Sequence, residues 1–319
     1  MAGQIWAVNS LGGFFYTQNL SKELREALQP MERFRQFCDV KNAAGKNKGE
    51  TFTWDVVSDV GTAGTTLVET NTIPETQFTI TQATLTITEA GNSVPYSGKL
   101  EALSQFAVRQ PVMNALRNDA NKFLDRRAAI QFNNALVRYV GTSATGSATT
   151  VNGTATATNT SALNTTHIKA ICDIMKERNI PAYVGDDYMA LAWPSTFRSL
   201  KNSLETLHTY TETGLKMIFN GEIGRYENFR YVEQTNVAKG ISTDGGVTGT
   251  AWTGANSDWC YFFGEDTVAE GLAIPLEMRA KIPTDYGRSK GVAWYWLGGY
   301  GIIHGNTAAQ SRILKWDSA

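Results

Sequence analysis

Residues 111–140, PVMNALRNDANKFLDRRAAIQFNNALVRYV, constrain this chain more than any other stretch. Leu116, Phe123, Ile130 and Val137 recur every seven residues, with Ala120 and Leu124 beside them. That spacing predicts one helix with an apolar stripe. Pro111 suits the first turn, where its missing N–H loses no partner. Gly141 follows the last periodic position and can take a left-handed cap. At about 1.5 Å per residue the helix would be roughly 45 Å long, whereas globular helices average about three turns. Arg117, Asp119, Lys122, Asp125, Arg126 and Arg138 are expected to form a solvated, ion-paired face. On these residues alone, a long helix crossing an ordinary domain fits as well. The neighbouring segments decide.

Before the helix, the chain has little means of burying its own apolar residues. Residues 1–18 carry no charged side chain, and Trp6, Phe14, Phe15 and Tyr16 lie among glycines. Such a stretch is expected to dock on another surface as an arm. Ser21 can cap a short helix running to residue 28, which Pro30 ends. A basic, turn-rich loop at 41–49 leads into residues 51–57, where Phe52, Trp54 and Val56 point one way and Thr53 and Asp55 the other. Residues 76–88 are strand-like again, with Phe78 and Ile80 in one phase and Leu85 and Ile87 in the other. The change predicts a bulge or bend near Gln82–Thr84. Together these runs form a long two-stranded excursion, and an isolated ribbon is marginal in water without a partner surface.

After the helix, a Thr/Ala/Gly tract at 142–161 contains Asn152-Gly153, a type I′ hairpin signal. A second amphipathic helix is expected over 167–179, with Ile168, Ile171, Cys172 and Met175 on one face, broken by Pro181. A buried strand over 188–193 and a short helix opened by Pro194 follow. Further strands are expected at 229–232, 259–263, 276–282, 292–303 and 312–316, with a Gly/Thr-rich loop at 239–257. Helix and strand alternate without a repeated βαβ unit, so the fold class is α+β.

Net charge −1 and a pI near 6.3 argue against an electrostatic nucleic-acid binder. Charged residues are 18% of the chain, below the usual quarter, and Thr, Asn, Gln and Gly fill many polar positions. Much of the surface is therefore expected to meet other protein. Three cysteines, Cys38, Cys172 and Cys260, are far apart and odd in number, which predicts buried thiols rather than disulfides or a zinc site. No apolar run approaches ~20 residues, so no membrane span is expected. The first twenty residues lack the basic start of a signal peptide, and a reducing cytoplasm is the expected setting.

No catalytic residue, cofactor or metal is expected. Residues 91–99 have the wrong glycine spacing for a phosphate loop, and Leu100 stands where Ser or Thr would bind magnesium. Gly299-Tyr300-Gly301 lacks the third glycine of a dinucleotide fingerprint and lies in an aromatic strand, where a packing role is expected. His167, His208 and His304 are isolated and are expected at the surface or as caps. Asp186-Asp187 and Glu265-Asp266 read as solvated turns rather than a hydrolytic pair.

The order of an uncharged arm, a long β excursion, one long helix and a compact α+β portion resembles the major capsid protein of tailed double-stranded DNA bacteriophages. The likeness covers nearly the whole chain and looks strongest to the N-four-type podophage capsids, with the coat fold first described for the Hong Kong phage. It is carried by GETFTWDVVSDV, IPETQFTITQATLTITEAGNSVPYSG, NDANKFLDRRAAIQFNNAL and IFNGEIGRYENFRYVEQTNV. The resemblance implies an arm and short helix at 1–40 and an extended E-loop at 41–96. The first part of the P-domain, with the spine helix and hairpin, would be 97–164. The A-domain would be 165–264 and the returning P-domain strands 265–319.

By the same resemblance the protein assembles with itself into hexamers and pentamers, closing an icosahedral shell around double-stranded DNA without reading its sequence. Phe52, Trp54, Val56, Phe78 and Ile80 would be E-loop contacts, and Trp6, Phe14, Phe15 and Tyr16 arm contacts. Leu116, Phe123, Ile130 and Val137 would be the core face of the spine. Portal, scaffolding and decoration proteins are the implied partners, with assembly in the host cytoplasm. No charged, helical leader precedes the arm, so a separate scaffolding protein is expected. Two other classes compete: an encapsulin-type compartment shell enclosing enzyme cargo, and a secreted carbohydrate-active or adhesive protein suggested by the Thr/Asn/Gly content.

Overall fold

Val112, Leu116, Ala120 and Leu124, four residues apart on the long helix, are all buried, and burial passes to Asp125, Ala128, Ala129 and Phe132 toward its end. Each four-residue step turns about 40° around the axis, so the buried stripe winds and meets two different partners. The first half of the helix packs with Tyr96, Val292, Trp294 and Trp296. The second half packs with Phe34, Leu191, Tyr261 and Phe263. One helix thus joins two cores.

The computed structural model describes residues 28–42, 49–60, 64–70, 72–104, 107–208, 225–237, 259–283, 285–305 and 307–318. In chain order the elements begin with β1 (Asp39–Asn42), β2 (Thr51–Val57), β3 (Ile80–Thr86), β4 (Thr88–Ser97), α1 (Gly98–Leu103) and α2 (Arg109–Asn133). They continue with β5 (Val137–Gly141), β6 (Ser147–Thr150), α3 (Thr165–Glu177), β7 (Tyr188–Ala192), α4 (Arg198–His208), β8 (Arg225–Tyr226) and β9 (Phe229–Glu233). The last are β10 (Cys260–Phe263), β11 (Val268–Ala280), β12 (Ser289–Ile302) and β13 (Ile313–Trp316). This is an α+β fold in which strands predominate.

The strands form a four-stranded sheet, β1-β11-β12-β4, a seven-stranded sheet, β6-β5-β13-β10-β7-β9-β8, and a two-stranded ribbon, β2-β3. The seven-stranded sheet is covered on both faces. From β7, Ala190 and Ala192 join the core of α3 and α4, while Met189 and Leu191 join the core of α2. Cys260 and Phe262 against Tyr261 and Phe263 divide in the same way on β10. Doubly covered strands read as unbroken apolar runs, which is why these were visible in the sequence.

The expected long helix is shorter than 111–140. It ends at Asn133, and residues 137–141 form the fully buried strand β5, paired with β13 and β6. Val137 is therefore buried in the seven-stranded sheet and not on the helix. Its β-branched and aromatic neighbours favour the pleated conformation, and the heptad spacing continued past the helix end by coincidence. Phe123 and Ile130 are only partly buried, flanking the winding stripe. The expected solvated face also loses two members: Asp125 is 1% exposed, and Arg138 lies buried against Asp317.

The hairpin turn falls earlier than Asn152-Gly153. β5 and β6 pair with Gly141 opposite Ser147, so the chain reverses at 142–146, with Thr142 N–H donating to the Gly146 carbonyl. Gly153, at φ +78°, bends the chain after β6 and donates its N–H to the Leu136 carbonyl. Nor is there a bulge at Gln82–Thr84. β3 pairs with β2 in unbroken register, and the two sequence phases are its two faces. The break comes at Ile87, where the chain leaves the ribbon and enters the four-stranded sheet as β4.

Candidate functional site

The β2-β3 ribbon is positioned from its root. Phe52 lies opposite Leu85, Trp54 opposite Ala83, and Val56 opposite Thr81, so these six side chains share one face. Phe52, Trp54 and Val56 are half-buried, and Ala83 and Leu85 are buried. This face rests on the chain's own β11 and β12, where three glycines make room. A Cβ on Gly271 would lie 2.8 Å from Leu85 Cδ2, one on Gly299 2.9 Å from the same atom, and one on Gly301 3.1 Å from Leu85 Cβ. Leu85 is thus a knob in a socket lined by glycines, and at Gly299 a Cβ would also run into the Thr86 carbonyl oxygen. Thr81 Oγ1 donates to Gln310 Oε1 at 3.3 Å, a second tie to the body.

Ile80 and Phe78 sit elsewhere. Ile80 pairs with Val57 on the opposite, exposed face, and Phe78 precedes the strand. The expected alternation of one apolar face through Phe52, Trp54, Val56, Phe78 and Ile80 is therefore split between two surfaces. At the far end of β2, Ser58 N–H donates to the Thr79 carbonyl at 2.8 Å, closing the ribbon. Beyond this clamp the described residues have no regular structure, and Leu67, Val68, Ile73 and Phe78 are each more than half exposed. Scattered exposed apolar residues are ordinary; a run of them on one projecting tip marks an interaction surface.

Between the ribbon root and α2 lies a cleft of about 520 Å³ whose walls include Thr84, Thr86, Arg127, Ile130, Gln131 and Trp296. Sequence reasoning missed Ala83, Leu85 and the glycine socket. The Gly298-Gly299-Tyr300-Gly301 run was the available signal: it points to packing, but not to Leu85 as the partner.

The arm residues Trp6, Phe14, Phe15 and Tyr16, the short helix before Pro30, the 239–257 loop and the side chain of His208 lie outside the described residues. Among the described residues, no group of three or more His, Cys, Asp or Glu side chains could hold a metal ion. No described helix is long and apolar enough to cross a membrane. All three cysteines are free, and burial pushes the thiols of Cys172 and Cys260 up from their ordinary range.

His167 is fully buried, not a surface residue. Its Nε2 lies 3.0 Å from the Ser143 carbonyl, which can only accept, so Nε2 carries the proton. The Tyr139 hydroxyl, 3.0 Å from Nδ1, then donates to the ring. Burial lowers the pKa of this imidazole. Asp187 is also buried, between Arg225 and Arg230, rather than solvated. Both are structural interior groups.

The Phage capsid family matches residues 12–206, more than half of the chain. No curated protein matches the sequence significantly. Among solved structures, the capsid of cyanophage P-SCSP1u superposes with a TM-score of 0.68 at 13% identity, covering 100% of this chain and 98% of that one. The head of Helicobacter pylori bacteriophage KHP40 gives 0.70 at 13% identity, covering 94% of each chain. The capsid of Ralstonia phage GP4 gives 0.59 at 15% identity, covering 100% of this chain and 99% of that one. Fold and sequence agree, from the projecting ribbon to the helix that joins two cores: this chain belongs to the phage capsid family, as a structural coat protein of tailed bacteriophages.

Proposed function

We propose that the chain assembles with itself into rings of six and five copies that close an icosahedral shell around double-stranded DNA. The observation that carries this reading is the β2-β3 ribbon, rooted on its own subunit through Leu85 and ending in an exposed apolar tip. Such a tip gains stability only by covering another surface, and identical copies in a ring offer that surface repeatedly. The ribbon acts as the E-loop lying over the neighbouring subunit, α2 as the spine, and residues 165–264 as the A-domain, whose strands share a sheet with β5, β6 and β13. Phe78 and Ile80 belong to the intersubunit contact, while Phe52, Trp54 and Val56 orient the ribbon. Trp6, Phe14, Phe15 and Tyr16 dock the arm. Assembly takes place in the host cytoplasm with scaffolding and portal proteins, and the chain performs no catalysis.

The test is electron microscopy of the purified protein overproduced in bacteria. Closed shells, or rings of five or six copies, are expected. A monomer that stays monodisperse at every concentration would overturn the reading. The encapsulin and secreted-adhesin alternatives are not favoured by the capsid match over the length of the chain.

A further inference from the structure

Arg178, which caps the end of α3, is a cation short of an anion. Among the described residues it forms no ion pair. Its Nη2 donates to the neutral Ala308 carbonyl, and its Nε is enclosed with no acceptor. Burial pushes its pKa down, and no carboxylate offsets that cost. The side chain lines a cleft of about 630 Å³ between the ribbon root, the end of α3 and the chain that joins β12 to β13. Ser58 and Asp59 line it from the ribbon, and His304, Gln310 and Arg312 from the joining chain. His304 is 9% exposed, and its Nε2 is enclosed without a hydrogen bond. Asp266 Oδ2 stands 3.5 Å from that nitrogen and 3.7 Å from Arg312 Nη1, and the Asp266 side chain is itself 42% exposed. Gln310 accepts from Thr81 through Oε1, which leaves its amide nitrogen as a donor. Asp59 is the one acid among the described lining residues; its Oδ1 accepts the Val60 N–H, and it makes no ion pair.

Enclosed polar groups are normally paired, and here the enclosed groups share one cleft and the same deficit. We propose that this cleft binds a phosphate-class oxyanion, held by Arg178 and Arg312 with His304 and Gln310. Guanidinium groups bind such ions through paired, charge-assisted hydrogen bonds. A tetrahedral oxyanion offers acceptor oxygens in several directions, which suits donors on separate chain segments; a carboxylate offers two in one plane. With the anion present, the His304 ring carries its proton on Nε2 and donates. The bound ion ties the end of α3 to the chain that already holds the ribbon through Thr81 and Gln310. Free phosphate and a backbone phosphate of DNA share this chemistry. The site needs one folded subunit and no ring, so it stands apart from the shell reading.

The experiment titrates the full chain with inorganic phosphate, sodium chloride holding the ionic strength constant. Thermal melts by circular dichroism and the phosphorus NMR line of the phosphate are the two readouts. Wild type should show a melting temperature that rises and then follows the logarithm of ligand concentration, as for a ligand of the folded state, and a broadened phosphorus line. Phosphate also stabilises proteins by exclusion from their surface, but that rise is alike in every variant and broadens no line. Arg178→Met should weaken binding roughly tenfold or more, the worth of one charge-assisted hydrogen bond. Arg178→Lys keeps the charge without the planar fork and should fall between the two. Arg312→Gln should also weaken binding, and it carries the test if Arg178→Met does not fold. A short DNA duplex that displaces phosphate supports the site with DNA as a source; a duplex without effect supports it for free phosphate. A wild-type phosphorus line that stays sharp overturns the proposal, as does binding of equal strength in the Arg178 and Arg312 variants. Binding that appears only in Asp59→Asn makes Asp59 the counter-ion of Arg178 and overturns it too.

Discussion

Arg35 reaches the two carboxylate oxygens of Glu270 with Nε and Nη2, at 3.0 and 2.9 Å, tying the turn before β1 to β11. Glu270 is fully buried, while the Arg35 side chain is 37% exposed. The Arg35 backbone N–H also donates to the buried Asp125 of α2. Removing Arg35 would strand a carboxylate in the interior. Arg35→Ala is expected to cost roughly 3 kcal/mol, the lower end for a broken buried pair because the arginine keeps some water contact. Adding Glu270→Gln should recover part of that loss by removing the unpaired charge. Chemical denaturation of the single and double variants checks this, and equal losses in both would show no coupling.

Two positions fourteen residues apart, on the same seven-residue repeat, now separate. Leu116 is 2% exposed between α2 and the four-stranded sheet, while Ile130 lines the cleft at the ribbon root. Leu116→Asp places an unpaired carboxylate in a dry core, a penalty of several kcal/mol. Insoluble or protease-sensitive protein is expected. Ile130→Asp should stay soluble with a cooperative melt, since water reaches the site. If both variants collapse alike, the cleft is closed in solution.

Burial of His167 makes stability depend on pH. Its folded pKa lies below the ordinary 6.5, so below 6.5 the unfolded chain binds more protons than the folded one. Stability should therefore fall as pH drops through 6.5, and go on falling until the folded pKa is reached. His304 is lowered in the same direction, with burial the largest cause, and contributes to the same slope. His167→Gln removes one of the two groups. Its melting temperature should vary less between neutral pH and pH 5 than that of wild type, and an unchanged slope would show that His167 does not titrate with unfolding.

Most of the architecture was legible because it is written locally. β7 and β10 are unbroken apolar runs, since both their faces are covered. α3 shows its period, and Asn164 caps it by accepting from the His167 N–H. What failed was written at a distance. The end of α2 was masked because Val137 keeps the seven-residue spacing while belonging to another core. The seat of Leu85 depends on glycines about two hundred residues further along, and small residues carry no periodic signal. Asp125 looked solvated because its partners, the Arg35 N–H and Asn236, come from outside the helix.

The ribbon tip separates folding from assembly. Its root is held by the chain itself: Leu85 fills the glycine socket, Thr81 bonds to Gln310, and Ser58 clamps Thr79. The residues beyond that clamp contribute no buried side chain among those described. Replacing residues 60–77 with a short Gly-Ser linker should therefore leave the stability within about 0.5 kcal/mol of wild type, the range of surface changes remote from core features. The same replacement removes Leu67, Val68 and Ile73, and burying one such side chain contributes about 1.5–3 kcal/mol. Lost at every contact around a ring, they should abolish closed shells while the subunit stays folded. Leu85→Asp should do the reverse damage, since it drives a carboxylate into the socket and lowers the melt of the subunit. Circular dichroism with size-exclusion chromatography and electron microscopy on both variants decides it. Normal shells from the shortened chain would remove the tip from the assembly contact, and an unfolded shortened chain would make the tip part of the subunit core.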